Sequence, residues 1–190
     1  ELFFMVILKQ RSEIDKIRAS NIIVAEVLAA LKEKVKEGIT TRQLDRLSEE
    51  LVLKKGAKPA FKGYRGYPFS LCASVNDEII HGLPSERVLV DGDIIGLDFG
   101  ACYKGYFGDA ALTVSVGAIS PEVERLLQAT EESLALAIRE ARVGNRLGDI
   151  SAAVQGHVEA AGFSVVRDFV GHGIGRSLHE EPQIPNYGVQ

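Results

Sequence analysis

The sequence predicts an α+β fold built from two related halves, each with two helices followed by strands. Apolar residues recur at helical spacing in two pairs of consecutive segments, and a glycine closes each segment. These glycines repeat at one distance, because Gly38 and Gly144 are 106 positions apart, as are Gly56 and Gly162. A fixed offset between matching elements is typical of an internal duplication.

Length and composition fit a globular chain of one or two domains. The chain has 190 residues, 46% of them hydrophobic, which is enough for a substantial core. We predict one domain over residues 1–190, with pseudo-repeat halves of about 12–117 and 118–190. The net charge is −4 with acids and bases interspersed, so nothing resembles a nucleic-acid-binding surface.

The N-terminus shows no signal peptide or membrane span. The apolar run before Lys9 is too short to cross a bilayer and lacks a basic start. Met5 is the only methionine, so we interpret residues 1–4 as lying upstream of the natural start. Cys72 and Cys102 have no metal-binding spacing, and a reducing compartment is their simplest context. We therefore predict a cytoplasmic protein.

The first half opens with two predicted helices. Ser12 followed by Asp15 resembles a capping box, so the first helix begins there, and it continues to Gly38. Either Thr40 or Thr41 caps the second helix, which ends at the next glycine.

The segment after these helices is predicted to be ordered. Glycine, proline and aromatic residues are mixed over 58–68, which indicates a structured wall rather than a linker. Residues 70–75 read as a strand, 76–78 as a turn, and 81–84 as a short extended run.

A hairpin is predicted between Asp91 and Gly117, and it carries two unexpected acids. Asp98 and Asp109 each lie within an apolar run. Aspartate is disfavoured in strands and costly to bury unless it is paired or binds a metal.

The turn fixes how these acids lie relative to each other. If the two residues after Tyr103 form it, Asp98 faces Ala111 and Asp109 faces Gly100. Both carboxylates then share one face as diagonal neighbours, with α carbons roughly 7–8 Å apart. The small residues around them would leave room for cations. The alternative is a hairpin face that is exposed to solvent.

The second half begins with Ser120 and Pro121, a cap residue and a proline at the first helical position. A fourth helix is predicted over 147–161 and a strand over 163–170. The apolar positions of the third helix include Val123, Leu126, Leu127, Leu134 and Ile138.

Histidines complete the candidate chemistry. His172 lies between two glycines, where a ligand can approach closely, whereas His157 is predicted to lie on a helix face. His81 and His179 lie in short segments marked by glycine or proline, and each is either a site residue or a surface residue. Two aspartates and a histidine supply oxygen and nitrogen ligands, which suit manganese, cobalt, iron or zinc in a hydrolytic site.

Three motifs resemble those of type I methionine aminopeptidases. They are Val75 to Pro84, Gly105 to Asp109, and Gly171 to Gly175 followed by His179 to Pro182. The resemblance extends from Ser12 to about Tyr187. It implies the pita-bread (creatinase/aminopeptidase) fold, with duplicated halves around a curved antiparallel sheet and an incomplete second half. It also implies removal of the initiator methionine from polypeptides whose second residue is small.

The resemblance implies a role for each candidate. Asp98 and Asp109 would bind two divalent metal ions (cobalt, manganese, iron or zinc), and His172 would bind one of them. His179 would contact the scissile peptide and assist proton transfer. His81 would donate a hydrogen bond to the substrate or the intermediate.

A methionine pocket is implied by the same motifs. Tyr64, Tyr67 and Cys72 match the family pattern, whereas Phe61 and Leu178 differ from it in residue type. A thioether packs well on aromatic edges, so such a lining suits methionine. Ordinary loop packing is the alternative for the two tyrosines.

The implied partners are nascent polypeptide N-termini at the ribosome, with no nucleic acid or membrane, and the implied state is a monomer. The family has two further glutamate ligands beyond Gln190, so a polypeptide ending there would hold three of five ligands. We expect weak metal binding and little activity from such a polypeptide. The alternatives are a non-catalytic binding module on the same fold and a related peptidase that cleaves Xaa-Pro bonds.

Overall fold

The computed structural model describes residues 6–189. The interpretation of residues 1–4 and Met5 therefore lies outside the described residues. The chain forms two compact units. One contains residues 7–119 together with 174–179, and the other contains 120–173 together with 180–189.

The first helix, α1, spans Arg11–Lys32, but its predicted cap is wrong. Gln10 is the N-cap residue rather than Ser12, and the acid of the capping box is Glu13 rather than Asp15. The backbone N–H of Gln10 donates to Glu13 Oε2 at 3.0 Å. Glutamate is the usual acid at the third helical position of a capping box, whereas aspartate is not.

The second helix, α2, spans Thr41–Lys54 and begins as predicted. Thr40 Oγ1 accepts from the Gln43 N–H at 3.2 Å, and the Gln43 side chain accepts from the Thr40 N–H at 2.9 Å. The wall predicted over 58–68 contains a two-residue strand, β1 (Lys58–Pro59), and a short 3₁₀ helix over Tyr64–Gly66.

Four antiparallel strands form the main sheet. β2 spans Leu71–Val75, β3 spans Ile94–Tyr103 and β4 spans Tyr106–Ser115. β3 is central, since β4 pairs along one edge while β1 and β2 pair along the other. The strand predicted over 70–75 is confirmed, and 81–84 forms no regular strand.

The two faces of this sheet have different environments. Side chains on one face join those of α1 and α2 in the largest buried core. Burying each large apolar side chain stabilises the fold by about 1.5–3 kcal/mol. The core-facing residues of β2 and β3 are Leu71, Ala73, Val75, Ile95, Leu97, Phe99 and Ala101. The opposite face carries Asp98 and Asp109.

In the second unit, α3 spans Pro121–Glu140 and α4 spans Leu147–Ala160. The predicted cap of α3 is confirmed, because Ser120 Oγ accepts from the Val123 N–H at 3.3 Å. No helix among residues 6–189 has the length and apolar character needed to cross a bilayer.

The buried residues of α3 are small, and two of its large apolar residues are well exposed. Its buried residues are Ala129, Ser133 and Ala137, which lie one helical turn apart. Leu134 and Ile138 are 59% and 65% exposed. Helix α3 contacts α4, and small side chains allow close approach of a neighbouring helix.

The strand predicted over 163–170 is also wrong. This segment is irregular, and Phe169 is 47% exposed. Two shorter strands follow instead, β5 (Gly171–Gly173) and β6 (Glu180–Ile184), which pair antiparallel. The apolar run of 163–170 gains no strand partner within 6–189, and unpaired backbone does not form a sheet.

The duplication predicted from the glycines is visible in the backbone. α2 and α4 start 106 positions apart and end 106 positions apart. The four glycines at matching positions all have positive φ, 88° and 71° in the first half and 99° and 86° in the second. Matching helix ends with matching left-handed residues support two halves of one ancestral pattern.

Candidate metal and substrate site

The hairpin of β3 and β4 has the predicted register. Lys104 and Gly105 form its turn, with φ of 50° and 78°. Two positive φ values are typical of the type I′ turn, whose twist matches that of paired strands. The pairings around the acids are those predicted, Asp98 with Ala111 and Asp109 with Gly100.

The two carboxyl groups interact on the sheet face opposite the core. Burial raises the pKa of Asp98, and the charge of Asp109 and a hydrogen bond between the two groups raise it further. Like charges held together disfavour double ionisation unless a cation neutralises them. Within residues 6–189, no three histidine, cysteine, aspartate or glutamate side chains are grouped to hold a metal ion. The hairpin therefore offers two oxygen ligands, which fit part of a divalent-metal site.

Helix α1 contacts the hairpin at the residues next to Asp109. A Cβ atom on Gly108 would lie 2.7 Å from the backbone of Ser20 and Asn21, so helix and strand touch at this glycine. Asn21 Oδ1 accepts from the Asp109 N–H at 3.3 Å, and Ser20 Oγ donates to the Tyr106 carbonyl at 2.9 Å. These supports are not apparent from the sequence, although a glycine inside a strand does indicate a close approach.

The structure brings the predicted pocket residues together. Cys72 pairs with Asp98 across β2 and β3, so both side chains lie on the same face. The buried members of this cluster are Ala60, Phe61, Cys72 and Leu178, and Tyr64, Tyr67, Phe107 and Ile174 pack against them. The cluster therefore adjoins the carboxylate pair.

The room expected beside Gly100 is already filled. A Cβ atom on Gly100 would lie 2.7 Å from the ring of Phe61 and 3.0 Å from Ala60. The glycine allows close packing of an aromatic ring rather than space for a cation. The reason is that the loop after β1 folds over β3, with the Ala60 N–H donating to the Gly100 carbonyl at 2.9 Å.

Cys72 is a neutral lining residue. Burial raises the pKa of its thiol to about 11, and the charges of Asp98 and Asp109 act in the same direction, whereas the neighbouring Tyr67 hydroxyl opposes them. A thiol that stays protonated at neutral pH is neither a ready nucleophile nor a thiolate ligand. It is a small polarisable surface.

Tyr67 differs from a simple pocket wall. Its hydroxyl donates to the Leu71 carbonyl at 2.9 Å and lies 3.3 Å from the Gly82 carbonyl. Burial raises the pKa of this hydroxyl, so it remains a hydrogen-bond donor. Tyr67 thus joins the 3₁₀ segment to β2 and to the residue that follows His81.

His81 has a left-handed backbone, with φ of 59°, and an exposed position. Its neighbour Gly82 is buried against β2, where its N–H donates to Ser74 Oγ at 3.0 Å and its carbonyl accepts from the Ala73 N–H at 2.9 Å. A strained conformation persists only where its surroundings hold it. The contacts of Gly82 hold the backbone that carries His81.

The other histidines lie in different environments. The ring of His179 stacks on Tyr64, with centroids 5.3 Å apart and planes 14° apart. His172 belongs to the other unit, on β5, where its Nδ1 lies 2.9 Å from the Gly173 carbonyl. Donation by Nδ1 would leave Nε2 as the basic nitrogen, the form that binds metals. His157 lies on α4 as predicted, with Nε2 3.0 Å from Glu132 Oε2 on α3.

Residues 15–190 match the sequence pattern of metallopeptidase family M24. The chain is 55% identical over 184 residues to the methionine aminopeptidase of Clostridium perfringens, covering 97% of this chain and 74% of that protein. It is 50% identical over 184 residues to methionine aminopeptidase 1 of Bacillus subtilis, with the same coverage. The crystal structure of methionine aminopeptidase from Thermotoga maritima matches with a TM-score of 0.95 and 45% identity, covering 97% of this chain and 74% of that one.

Proposed function

The chain belongs to metallopeptidase family M24, and we propose that it hydrolyses the peptide bond after an N-terminal methionine. It has the pita-bread fold of that family. The observation that carries the proposal is the buried cluster of aromatic rings and a neutral thiol beside Asp98 and Asp109. Such a lining suits a thioether, and the paired carboxylates suit a divalent metal.

Because the family is one of metallopeptidases, a divalent metal is expected in the site, and we propose which residues bind it. We assign Asp98, Asp109 and His172 as ligands of two divalent ions, drawn from cobalt, manganese, iron and zinc. When bound, such ions lower the pKa of a water nucleophile and polarise the substrate carbonyl. The hydrogen bond from Asp109 N–H to Asn21 and the contact at Gly108 orient the second carboxylate.

The two remaining histidines have separate roles in this proposal. His179, stacked on Tyr64 at the pocket, donates a hydrogen bond at the scissile amide and moves a proton as the bond breaks. His81 donates to the substrate carbonyl region from its fixed left-handed backbone. Phe61, Tyr64 and Cys72 bind the methionine side chain, while Tyr67 lines the pocket and supports Gly82.

The physiological setting is proposed with the activity. The substrates are nascent polypeptides, met at the ribosome by a monomeric enzyme in the cytoplasm. A non-catalytic binding module is not favoured, because the similar curated proteins are named as aminopeptidases.

The activity is tested with the peptide Met-Ala-Ser. Each of the four metals is added in turn, and methionine release is compared with leucine release from Leu-Ala-Ser. We expect weak but detectable metal binding in equilibrium dialysis and a low rate of release that favours methionine over leucine, and Asp98→Asn should lower that rate by about 100-fold. Asp15→Asn, an exposed change on α1 that removes a pair with Arg18, is the matched control and should retain the rate.

Two results would contradict these assignments. An unchanged rate in Asp98→Asn would exclude that residue as a ligand. Absence of methionine release with all four metals would exclude the activity for this polypeptide.

A further inference from the structure

Residues 174–179, which we name the strap, form the loop between β5 and β6. Their contacts belong to the unit that contains the main sheet, whereas both flanking strands belong to the other unit. The strap has no regular strand or helix of its own. Its place on the main sheet unit therefore depends on individual contacts made by its residues.

The contacts of Arg176 with Glu13 and Tyr106, which we name the strap anchor, lie on the exposed side of the strap. Arg176 Nε donates to Glu13 Oε1 at 3.2 Å, and the Tyr106 hydroxyl donates to the same oxygen at 2.9 Å. The guanidinium also lies over the Tyr106 ring, 5.1 Å from its centroid. Glu13 is fixed in turn by the Gln10 N–H at the start of α1. The anchor thus joins the strap to a helix end and to the first residue of β4.

The Glu13 carboxylate is partly buried and stays ionised, which favours its contact with Arg176. Its side chain is only 19% exposed, although that of Arg176 is 71% exposed. The Gln10 N–H, the Tyr106 hydroxyl and then Arg176 lower the pKa of Glu13 to about 2. The carboxylate therefore stays ionised across the pH range in which most enzymes work.

A second set of contacts lies on the side of the strap that faces the pocket cluster. The Phe107 N–H donates to the Gly175 carbonyl at 2.9 Å. Leu178 is 3% exposed within the pocket cluster, and the next residue, His179, stacks on Tyr64. The pocket wall and the histidine proposed for proton transfer are thus carried by the same short segment as Arg176.

We propose that Arg176 is a positioning residue that, through Glu13 and Tyr106, holds Leu178 and His179 in place for catalysis. The effect on catalysis rests on the proposed function, whereas the effect on the order of the strap does not. Arg176 lies two residues before Leu178 and three before His179, so release of the guanidinium frees the chain on the exposed side of the strap. Because an exposed ion pair adds little to global stability, the role of this pair is local order.

The test compares Arg176→Met with the full wild-type chain. Residue-resolved amide hydrogen exchange of Phe107 reports the bond to Gly175, and kcat and KM for Met-Ala-Ser report the pocket. We expect Phe107 exchange to rise about 10-fold, and kcat/KM to fall about 10-fold because His179 and Leu178 lose their fixed position. The urea midpoint should change little.

Three further variants sharpen the result. Arg176→Lys keeps the charge but not the guanidinium plane, so it should recover part of both effects. Glu13→Gln combined with Arg176→Met should add less than Glu13→Gln adds to the wild type, because the contact between the two residues is already lost. Arg18→Met removes the exposed pair with Asp15 on the same helix and should leave both readouts unchanged.

Unchanged Phe107 exchange in Arg176→Met would overturn the inference, and so would increased exchange with unchanged kcat and KM. Failure of the proposed function is a different result, in which the wild-type chain itself releases no methionine. In that case increased Phe107 exchange in Arg176→Met would still support the structural half of the inference, and unchanged exchange would still overturn it.

Discussion

Asp98 and Asp109 lie on a hairpin whose ten cross-strand pairs follow from one two-residue turn, whereas Leu178 and His179 lie on a strap without regular pairing. The hairpin is continuous with the largest core, since its other face packs on α1 and α2. The strap is fixed by a few separate contacts, among them an ion pair between residues 163 positions apart. One region is thus a cooperative part of the fold, and the other is attached to it.

Because of this difference, substitutions in the two regions should affect the stability of the protein in different ways. A change that disturbs the hairpin should lower the free energy of unfolding of the whole unit. A change that disturbs the strap can be relieved by local detachment, so its cost is limited to the free energy of that detachment. The two regions should therefore respond differently to substitutions of similar size.

The largest effect is expected from Gly108→Ala. The added Cβ atom would lie 2.7 Å from backbone atoms of Ser20 and Asn21, which cannot move without displacing α1. We expect a loss of about 3 kcal/mol in the free energy of unfolding, measured by urea denaturation.

Gly156→Ala is the matched control for that variant. A Cβ atom there meets nothing within 4 Å, and the glycine lies inside α4. Alanine is favoured over glycine in a helix, so this change should be neutral or stabilising by up to about 1 kcal/mol. Equal stability of the two variants would show that α1 does not press on β4 at Gly108.

A smaller effect is expected from Leu178→Ala in the strap. A buried leucine in a cooperative core typically contributes about 2–5 kcal/mol. Because the strap can detach locally, we expect a loss of only about 1–2 kcal/mol. Leu134→Ala, at an exposed position of α3, should cost less still. A loss of 4 kcal/mol or more in Leu178→Ala would mean that the strap unfolds only with the whole unit.

The features predicted well from the sequence are those set by neighbouring residues. The type I′ turn fixes the register of the hairpin, and a threonine and a serine cap α2 and α3 at the expected positions. Alternation then assigns Asp98 to the face opposite the core without any knowledge of the tertiary structure. The cross-strand pairs of the two carboxylates, and the face that they share, could therefore be predicted.

The features missed depend on distant residues. Which face of α3 is buried depends on how closely α4 approaches, and the apolar run of 163–170 could form a strand only with a partner. Asp45 shows the same limit, because it is buried and accepts from the Ser70 and Leu71 N–H groups at 2.8 and 3.1 Å. No local pattern marks that aspartate as the support of β2.

The candidate site also contains some features that could be predicted from the sequence and others that depend on distant residues. The resemblance to the aminopeptidase family implied a methionine-binding surface, but the filling of the space at Gly100 by Phe61 depends on the path of a loop. Likewise, Glu13 and Arg176 are ordinary charged residues in the sequence. They become a pair only when α1, β4 and the strap are assembled.

The smallest effect concerns the pH dependence of that pair. The pKa of Glu13 is lowered from 4.5 to about 2, first by the Gln10 N–H and then by the Tyr106 hydroxyl. An acid with a depressed pKa contributes stability above its ordinary pKa, and that contribution disappears as the pH falls through the depressed one. The stability difference between wild type and Glu13→Gln should thus be constant above about pH 5 and shrink between 4.5 and 2.

Urea denaturation at fixed ionic strength, from pH 7 down to the acid limit of folding, measures this difference. Tyr106→Phe removes one donor to the carboxylate, so the pKa of Glu13 in the folded protein should rise. The loss should then be smaller and should be complete at a higher pH than in the wild type. A difference that instead decreased between pH 5 and 7 would show that Glu13 is not held as the anion by these donors. The strap anchor would then lack the permanent charge that distinguishes it from an ordinary surface contact.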